Sequence, residues 1–374
     1  MVENKRVIIA SGGTGGHFYP GFALAVELRS RGWQVLFLVK KDDIARPALD
    51  ETDFPYAELD MTALPRSLNP LAHASFLVKL LRSLTLAMRA AEDFAPAAVF
   101  GTGSYVAFPA ALAARLKGIP VFIHESNAKL GLGNRLAGSF CRKVALGLPS
   151  SDNPFAGRTV LSGTPIRADF GDARNAAGAR KALGLEPGRF TALVFGGSQG
   201  ARRLNAAFIS AARQLRSDVQ AIHLTGRRNF SEVKAAYAAA GMESWNGLRL
   251  FDYREDMPAL YAAADLVISR SGASTVAELV QLEKPSILVP LPSSAGGHQK
   301  ANALVLSSAG AAVRVDEGDD FDARLTAAIR NFIGNPANIR EMKDSFARAG
   351  VPKGLGAAAA LADLLESETI RRRT

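Results

Sequence analysis

Cysteine is nearly absent: Cys141 is the one thiol in 374 residues. A single thiol cannot close an intrachain disulfide or build a cysteine-rich metal site, and such usage fits a reducing cytoplasm. Histidine is scarce, with 5 residues at no ligand-like spacing. The acidic pair Asp320-Phe-Asp322 reads as the start of a helix rather than a cation site, so no metal is expected. Long apolar runs are also missing. The first one spans four or five residues after Arg6, too short for a signal-peptide core. Residues 95–114 carry no charge, but Pro96, Gly101, Gly103 and Pro109 interrupt them. That predicts strand, turn and helix rather than a membrane span. Acidic residues are in deficit, 35 against 45 basic ones, and the net charge of +10 favours anionic partners.

What is present is alternation. "RVIIA", "QVLFLVK", "AAVFGTG" and "PVFIHE" read as strands in the first half; "TALVFGG", "QAIHLTG", "LRLFDY", "DLVISR" and "PSILVPL" do so in the second, with helical patterns between most of them. Such alternation predicts parallel sheets covered by helices on both faces. The order strand, Gly-Gly loop, helix occurs at Gly12-Gly13 and again at Gly196-Gly197, about half the chain apart. The expected fold is therefore α/β, with two Rossmann-like doubly wound domains, residues 1–163 and 164–340, facing across a cleft where ligands bind. The last helix, within about residues 341–374, has no strand after it and is free to pack back on the first domain.

Glycine-rich turns that open helices expose backbone N–H groups to an anion. Four glycines among residues 12–16 favour that reading over a merely tight turn. Neither loop is a dinucleotide fingerprint, and no P-loop lysine follows, which argues against a nicotinamide enzyme or an NTPase. "GGSQG" does match a hydrolase nucleophile elbow, with Ser198, Asp265 and His298 in triad order; this is the alternative function. His124, Glu125 and Asn127 end a strand at the expected ligand edge. Thr275 and Glu278 have capping-box spacing, and the same helix start suits a diphosphate, with the carboxylate on ribose hydroxyls. His298, Gln299 and Asn302 follow the next strand. Along "LAHASFLVKLLRSLTLAMR", Phe76, Leu77, Leu80, Leu81, Leu84 and Met88 recur at helical spacing, with Lys79, Arg82 and Arg89 on another face. Both a core-facing helix and a lipid-interface helix fit this pattern.

"GGTGGHFYPGFALAVEL", "HESNAKLGLGNRLA", "GTPIR", "FGGSQGARRLN" and "SRSGASTVAELVQLEKPSILVPLP…HQKANA" together resemble the MurG family of bacterial cell-wall N-acetylglucosaminyltransferases. The resemblance implies a B-type glycosyltransferase fold and an inverting transfer of N-acetylglucosamine from the UDP-sugar to the muramic acid 4-hydroxyl of lipid I. It implies UDP-N-acetylglucosamine as substrate without a cofactor, no nucleic acid, an anionic membrane surface, and other cell-wall synthesis proteins as partners. The implied location is peripheral, on the inner face of the cell membrane. By the same resemblance Thr14, Gly15, Gly16, Asn127, Arg167, Ser198, Arg254, Ala273, Ser274, Thr275, Val276, Ala277, Glu278 and Gln299 bind the donor. Gly13, Gly103, Ser104 and Tyr105 serve the acceptor diphosphate. Phe76, Leu77, Lys79, Leu80, Arg82 and Leu84 meet the membrane. His17 and Glu125 are the catalytic candidates, His17 because an imidazole changes charge near neutral pH; its alternative role is to orient the sugar. Departures from the family pattern are Ser126 in "HESN", Thr164 in "GTP", Arg254 in "YREDM", and "SSAGGHQ", where Ser293 replaces a histidine and Gly296-Gly297 replace two acids.

Overall fold

Strands buried on both faces set the architecture. In the computed structural model, which describes residues 4–370 apart from 44, 66–67, 151, 173–174 and 198–199, the chain divides into two units. One comprises Met1–Arg167 with Pro352–Thr374, the other Ala168–Val351.

The first unit holds β1 (Arg6–Ala10), β2 (Gln34–Lys40), β3 (Tyr56–Leu59), β4 (Ala98–Gly101), β5 (Val121–Glu125), β6 (Lys143–Leu146) and β7 (Thr159–Leu161). They form one sheet in the order β3-β2-β1-β4-β5-β6-β7, and neighbouring strands pair in parallel. Its helices are α1 (Gly15–Ser30), α2 (Arg46–Glu51), α3 (Pro70–Phe94), α4 (Ala107–Leu116) and α5 (Leu132–Gly138). Successive β1 side chains point to opposite faces. Val7 and Ile9 join Leu24, Leu28 and Phe37 in one core cluster; Ile8 and Ala10 join Val99, Val121 and Ile123 in another. This two-sided burial explains why β1, β4 and β5 read as unbroken apolar runs.

The second unit repeats the plan with β8 (Phe190–Phe195), β9 (Val219–Leu224), β10 (Leu248–Phe251), β11 (Leu266–Ser269), β12 (Ser286–Leu288) and β13 (Val313–Arg314), ordered β10-β9-β8-β11-β12-β13. Its helices are α6 (Ala176–Ala182), α7 (Arg202–Leu215), α8 (Phe230–Ala239), α9 (Met257–Ala263), α10 (Ala273–Leu282), α11 (His298–Ser307), α12 (Phe321–Gly334) and α13 (Pro336–Asp344). Leu204, Phe208, Ala211 and Leu215 of α7 lie on one helical stripe and pack with Val194, Ile268, Phe321 and Leu325. Burying each large side chain there contributes about 2–3 kcal/mol, more than a half-exposed ion pair such as Arg203–Asp322 provides.

In each sheet the strand order reverses beside the first strand, between β1 and β4 and between β8 and β11. The corners after those strands are where α/β sheets bind ligands. Strands β3, β6, β7 and β13 escaped the sequence reading because they are short, and β3, β7 and β13 are only partly buried. The unit division falls at Arg167/Ala168, a few residues past the sequence boundary. Helix α13 stays with the second unit. The chain turns through Gly350 at φ 61° and returns at Pro352. Then α14 (Gly354–Ile370) places Leu361, Ala362 and Leu365 in the first unit's core.

Candidate active site

The first corner is built around His17. After β1 the chain passes through Gly12 and Gly13 to Thr14, the N-cap of α1. Three glycines and Pro20 lie in the first two turns of α1, so the turn holding His17 has little helix propensity of its own. Side chains from elsewhere hold it. Asp43, which is buried, accepts from the Gly13 amide at 2.5 Å and from Ala45 N at 2.9 Å. Ser11 Oγ donates to the His17 carbonyl at 2.9 Å. The imidazole Nδ1 lies 3.1 Å from the Thr102 carbonyl. A carbonyl only accepts, so Nδ1 carries a proton, and in the neutral ring Nε2 keeps the lone pair. Beyond β4 the chain turns at Gly103, φ 86°, where an added Cβ would sit 3.0 Å from His17 Nδ1. Only glycine fits that turn. Gly103 thus borders the imidazole, Ser104 lies beside Gly13, and Tyr105 is exposed.

The Gly13 assignment needs correction as an amide contact, because Asp43 already occupies its N–H. Amides nearer the start of α1, at Gly15 and Gly16, remain the ones directed outward by helix geometry.

Glu125 also differs from its expected catalytic role. It is buried, and its two oxygens accept from Asn127 N at 3.0 Å, Asn127 Nδ2 at 2.9 Å, Gly131 N at 2.9 Å and Asn134 Nδ2 at 2.9 Å. With this many donors the carboxylate is taken up in holding its own loop. The same bonds place Asn127, which is half-buried, at the end of β5. His124 is fully buried, and desolvation pushes its pKa down. Its Nε2 donates to the Gly163 carbonyl at 3.0 Å, tying β5 to the segment leading to Arg167. Two departures from the family pattern meet here: a Cβ on Gly147 would collide with Thr164 Oγ1 and press on Ser126.

The second corner opens differently. Helix α10 starts at Ala273 with Gly272 as N-cap, and no described side chain caps it. Thr275 is therefore the third helical residue, not the cap, and the capping-box reading fails. The amides of Ala273, Ser274 and Thr275 precede the first helical bond, Val276 N to Gly272 O at 2.9 Å. They leave a focus of partial positive charge. Val276 and Ala277 are buried in the core, so their side chains cannot meet a donor. Glu278 Oε2 accepts from Tyr261 Oη at 2.7 Å. Tyr261 is fully buried, and burial pushes its phenol well above the usual range, which keeps it a donor. Gln299 accepts at Oε1 from Leu291 N at 2.9 Å and at its carbonyl from Ser271 Oγ at 2.8 Å. Its amide nitrogen is the end left to donate. The preceding loop turns through Gly296 and Gly297, both at positive φ. Arg254 pairs with Asp256 through two bonds and lies 4.8 Å over the Phe251 ring. Arg167 is half-buried near the end of the first unit. Ser198 lies outside the described residues.

Sequence reasoning missed Asp43, Thr102, Tyr261 and Arg270. Arg270 is buried and reaches the Val289 and Pro290 carbonyls and, at 2.6 Å, Glu317. It ties the ends of β11 and β12 together. A charged residue closing an apolar strand was the available signal.

The hydrolase triad is excluded. Asp265 precedes β11, bound to Arg180 at 2.7 Å and to Thr191 N at 2.8 Å. His298 lies beyond the opposite end of the parallel strand β12. A strand the length of β11 spans about 13 Å. Asp320 and Asp322 are engaged by Arg324 and Arg203.

Helix α3 divides its apolar residues. Phe76, Leu80, Leu84 and Met88 pack on the first unit's core, which corrects the assignment of Phe76, Leu80 and Leu84 to a membrane face. Leu71, Leu77, Val78, Leu81 and Leu86 are exposed, as are Leu68, which precedes the helix, and Arg82. Lys79 pairs with Asp60 at 2.9 Å. Among the described residues this is the one helix long and apolar enough to cross a membrane by length and composition.

Two parallel sheets with ligand-ready corners define the B-type glycosyltransferase architecture, and the comparisons agree. Models of the glycosyltransferase family 28 N-terminal and C-terminal domains match residues 7–146 and 191–356. An Elusimicrobium minutum protein named UDP-N-acetylglucosamine--N-acetylmuramyl-(pentapeptide) pyrophosphoryl-undecaprenol N-acetylglucosamine transferase is 39% identical over 97% of this chain and 99% of its own. A Halothermothrix orenii protein of the same name is 36% identical over 93% and 95%. The crystal structure of Acinetobacter baumannii MurG superposes with a TM-score of 0.77 at 30% identity, covering 97% of this chain and 99% of that one. The chain belongs to glycosyltransferase family 28.

Proposed function

We infer that this chain moves N-acetylglucosamine from UDP-N-acetylglucosamine to the 4-hydroxyl of the N-acetylmuramyl group of undecaprenyl-diphosphate-linked lipid I, with inversion. The product is the lipid-linked disaccharide used in cell-wall synthesis, and no separate cofactor enters the scheme. The observation that carries this reading is 36% to 39% identity, over 93% to 97% of the chain, to transferases of that name, joined to two corners of complementary chemistry.

In this reading His17 Nε2 takes the proton of the acceptor hydroxyl as its oxygen bonds to the anomeric carbon. The bond to UDP breaks on the opposite side, and the charge on the departing diphosphate is met by the amides of Ala273, Ser274 and Thr275. Ser198 assists from its glycine loop. Glu278, oriented by Tyr261, takes the ribose hydroxyls. Asn127, Arg167, Arg254 and the Gln299 amide complete donor binding with Thr14, Gly15 and Gly16. Gly103, Ser104 and Tyr105 border the acceptor. Glu125 acts by holding Asn127. The exposed leucines of α3, with Arg82 and Arg89, rest on an anionic membrane at the inner face of the cell membrane, and other cell-wall synthesis proteins meet the enzyme there.

A soluble lipid I analogue supplied with UDP-N-acetylglucosamine should yield the β-1,4 disaccharide, and UDP-glucose should replace it poorly. Absence of that product with folded protein would refute the assignment.

A further inference from the structure

His17 sits on a turn that its own residues do not stabilise, yet its ring must hold one tautomer to present Nε2. One residue contacts both its main chain and its ring. Thr102 Oγ1 lies 2.8 Å from the His17 carbonyl and 2.9 Å from Ser11 Oγ. The carbonyl of the same Thr102 accepts from His17 Nδ1. Ser11 Oγ in turn reaches the His17 carbonyl. Ser11 and Thr102 are buried, at 0% and 1% exposure, so the bond between their hydroxyls is shielded from water. Both residues are anchored by backbone: Thr102 N donates to Ala10 O at 3.1 Å and Ser11 N to Leu38 O at 3.1 Å. The space is closed as well. A Cβ on Gly21 would lie 2.8 Å from Ser11 Oγ and 3.1 Å from Thr102 Cγ2.

We propose that Thr102, with Ser11 behind it, is the positioning residue for His17. Its hydroxyl fixes the height of the first turn of α1, and its carbonyl fixes the ring tautomer, so that the Nε2 lone pair is presented to the acceptor hydroxyl. The hydroxyl sets the distance over which the carbonyl acts. Without it, the turn slides and Nδ1 loses its acceptor. This rests on reading His17 as the base, and the two ideas separate experimentally.

The variants are Thr102→Val, Thr102→Ser and Ser11→Ala in the full chain, each confirmed folded by circular dichroism. The readouts are the 15N spectrum of the His17 ring, assigned by its loss in His17→Gln, and kcat and KM with the soluble lipid I analogue. Wild-type protein should show a single Nδ1–H tautomer. Thr102→Val should show a tautomer mixture and a kcat lower by about tenfold with the donor KM unchanged. Thr102→Ser should restore both readouts to within about twofold of wild type, and Ser11→Ala should fall between the two. A folded Thr102→Val protein with the wild-type ring spectrum overturns the positioning role. A tautomer shift with unaltered kcat supports the positioning and refutes the base; normal turnover in His17→Gln refutes the base alone.

Discussion

The two units share a sheet order but prepare their corners in opposite ways. At the start of α1, polar groups from the segments after β1, β2 and β4 fill the turn: Asp43 takes the Gly13 amide, and Ser11 and Thr102 take His17. At the start of α10, Gly272 offers no side chain, and the first three amides keep their N–H groups outward. A corner that presents a side chain for proton transfer has to be immobilised, because a small displacement of the base costs rate steeply. A corner that presents backbone dipoles to a diphosphate has to be left unfilled, because any internal acceptor would compete with the ligand.

The largest disturbance of this contrast comes from crowding the filled corner. Gly103→Ala sets a methyl against the His17 ring at a positive φ, and kcat should fall about 100-fold while UDP affinity, measured by calorimetry, stays within about twofold. Wild-type kcat would show that the ring has slack. Next, Gly272→Asp fills the open corner. Gly272 has an extended backbone, φ −63° and ψ 149°, and the nearest atom to an added Cβ is Thr275 Oγ1 at 3.9 Å. The new carboxylate should cap α10, raising stability by about 0.5–1 kcal/mol and weakening UDP binding at least about tenfold. Unchanged UDP affinity would place the diphosphate elsewhere. The smallest effect is Asp43→Asn, which leaves one oxygen for two amides. Stability in urea should drop by about 1 kcal/mol, and kcat should change only a few-fold. A drop above about 3 kcal/mol would mean that Asp43 organises more than this loop.

Much of the scaffold was legible. Unbroken apolar runs announced the central strands, and the repeated glycine corner announced two similar units. The contacts that give each corner its chemistry were not legible, because they join residues far apart in sequence: Asp43 to Gly13, Thr102 to His17, Tyr261 to Glu278. Thr275-x-x-Glu278 has the same spelling whether Thr275 caps the helix or stands third within it, and only the path through Gly272 decides. In α3 the period was right but the face was drawn too wide. Phe76 and Leu77 are adjacent on a helix and so about 100° apart; one packs inward and the other does not. Glu125 illustrates the opposite error, in which an acid at a ligand edge proved to be fully occupied by its own loop.

Helix α14 has a consequence for how the chain is made. Arg31 bonds Asp363 at 2.5 Å and Glu366 at 2.9 Å, and Trp33 Nε1 donates to Glu366 at 2.9 Å. Val7, Ile9 and Leu24 share a cluster with Leu361 and Leu365. During synthesis on the ribosome the later-encoded unit, continuous in sequence, has all its parts before the earlier one does. The unit translated first waits with one side uncovered until α14 has been made.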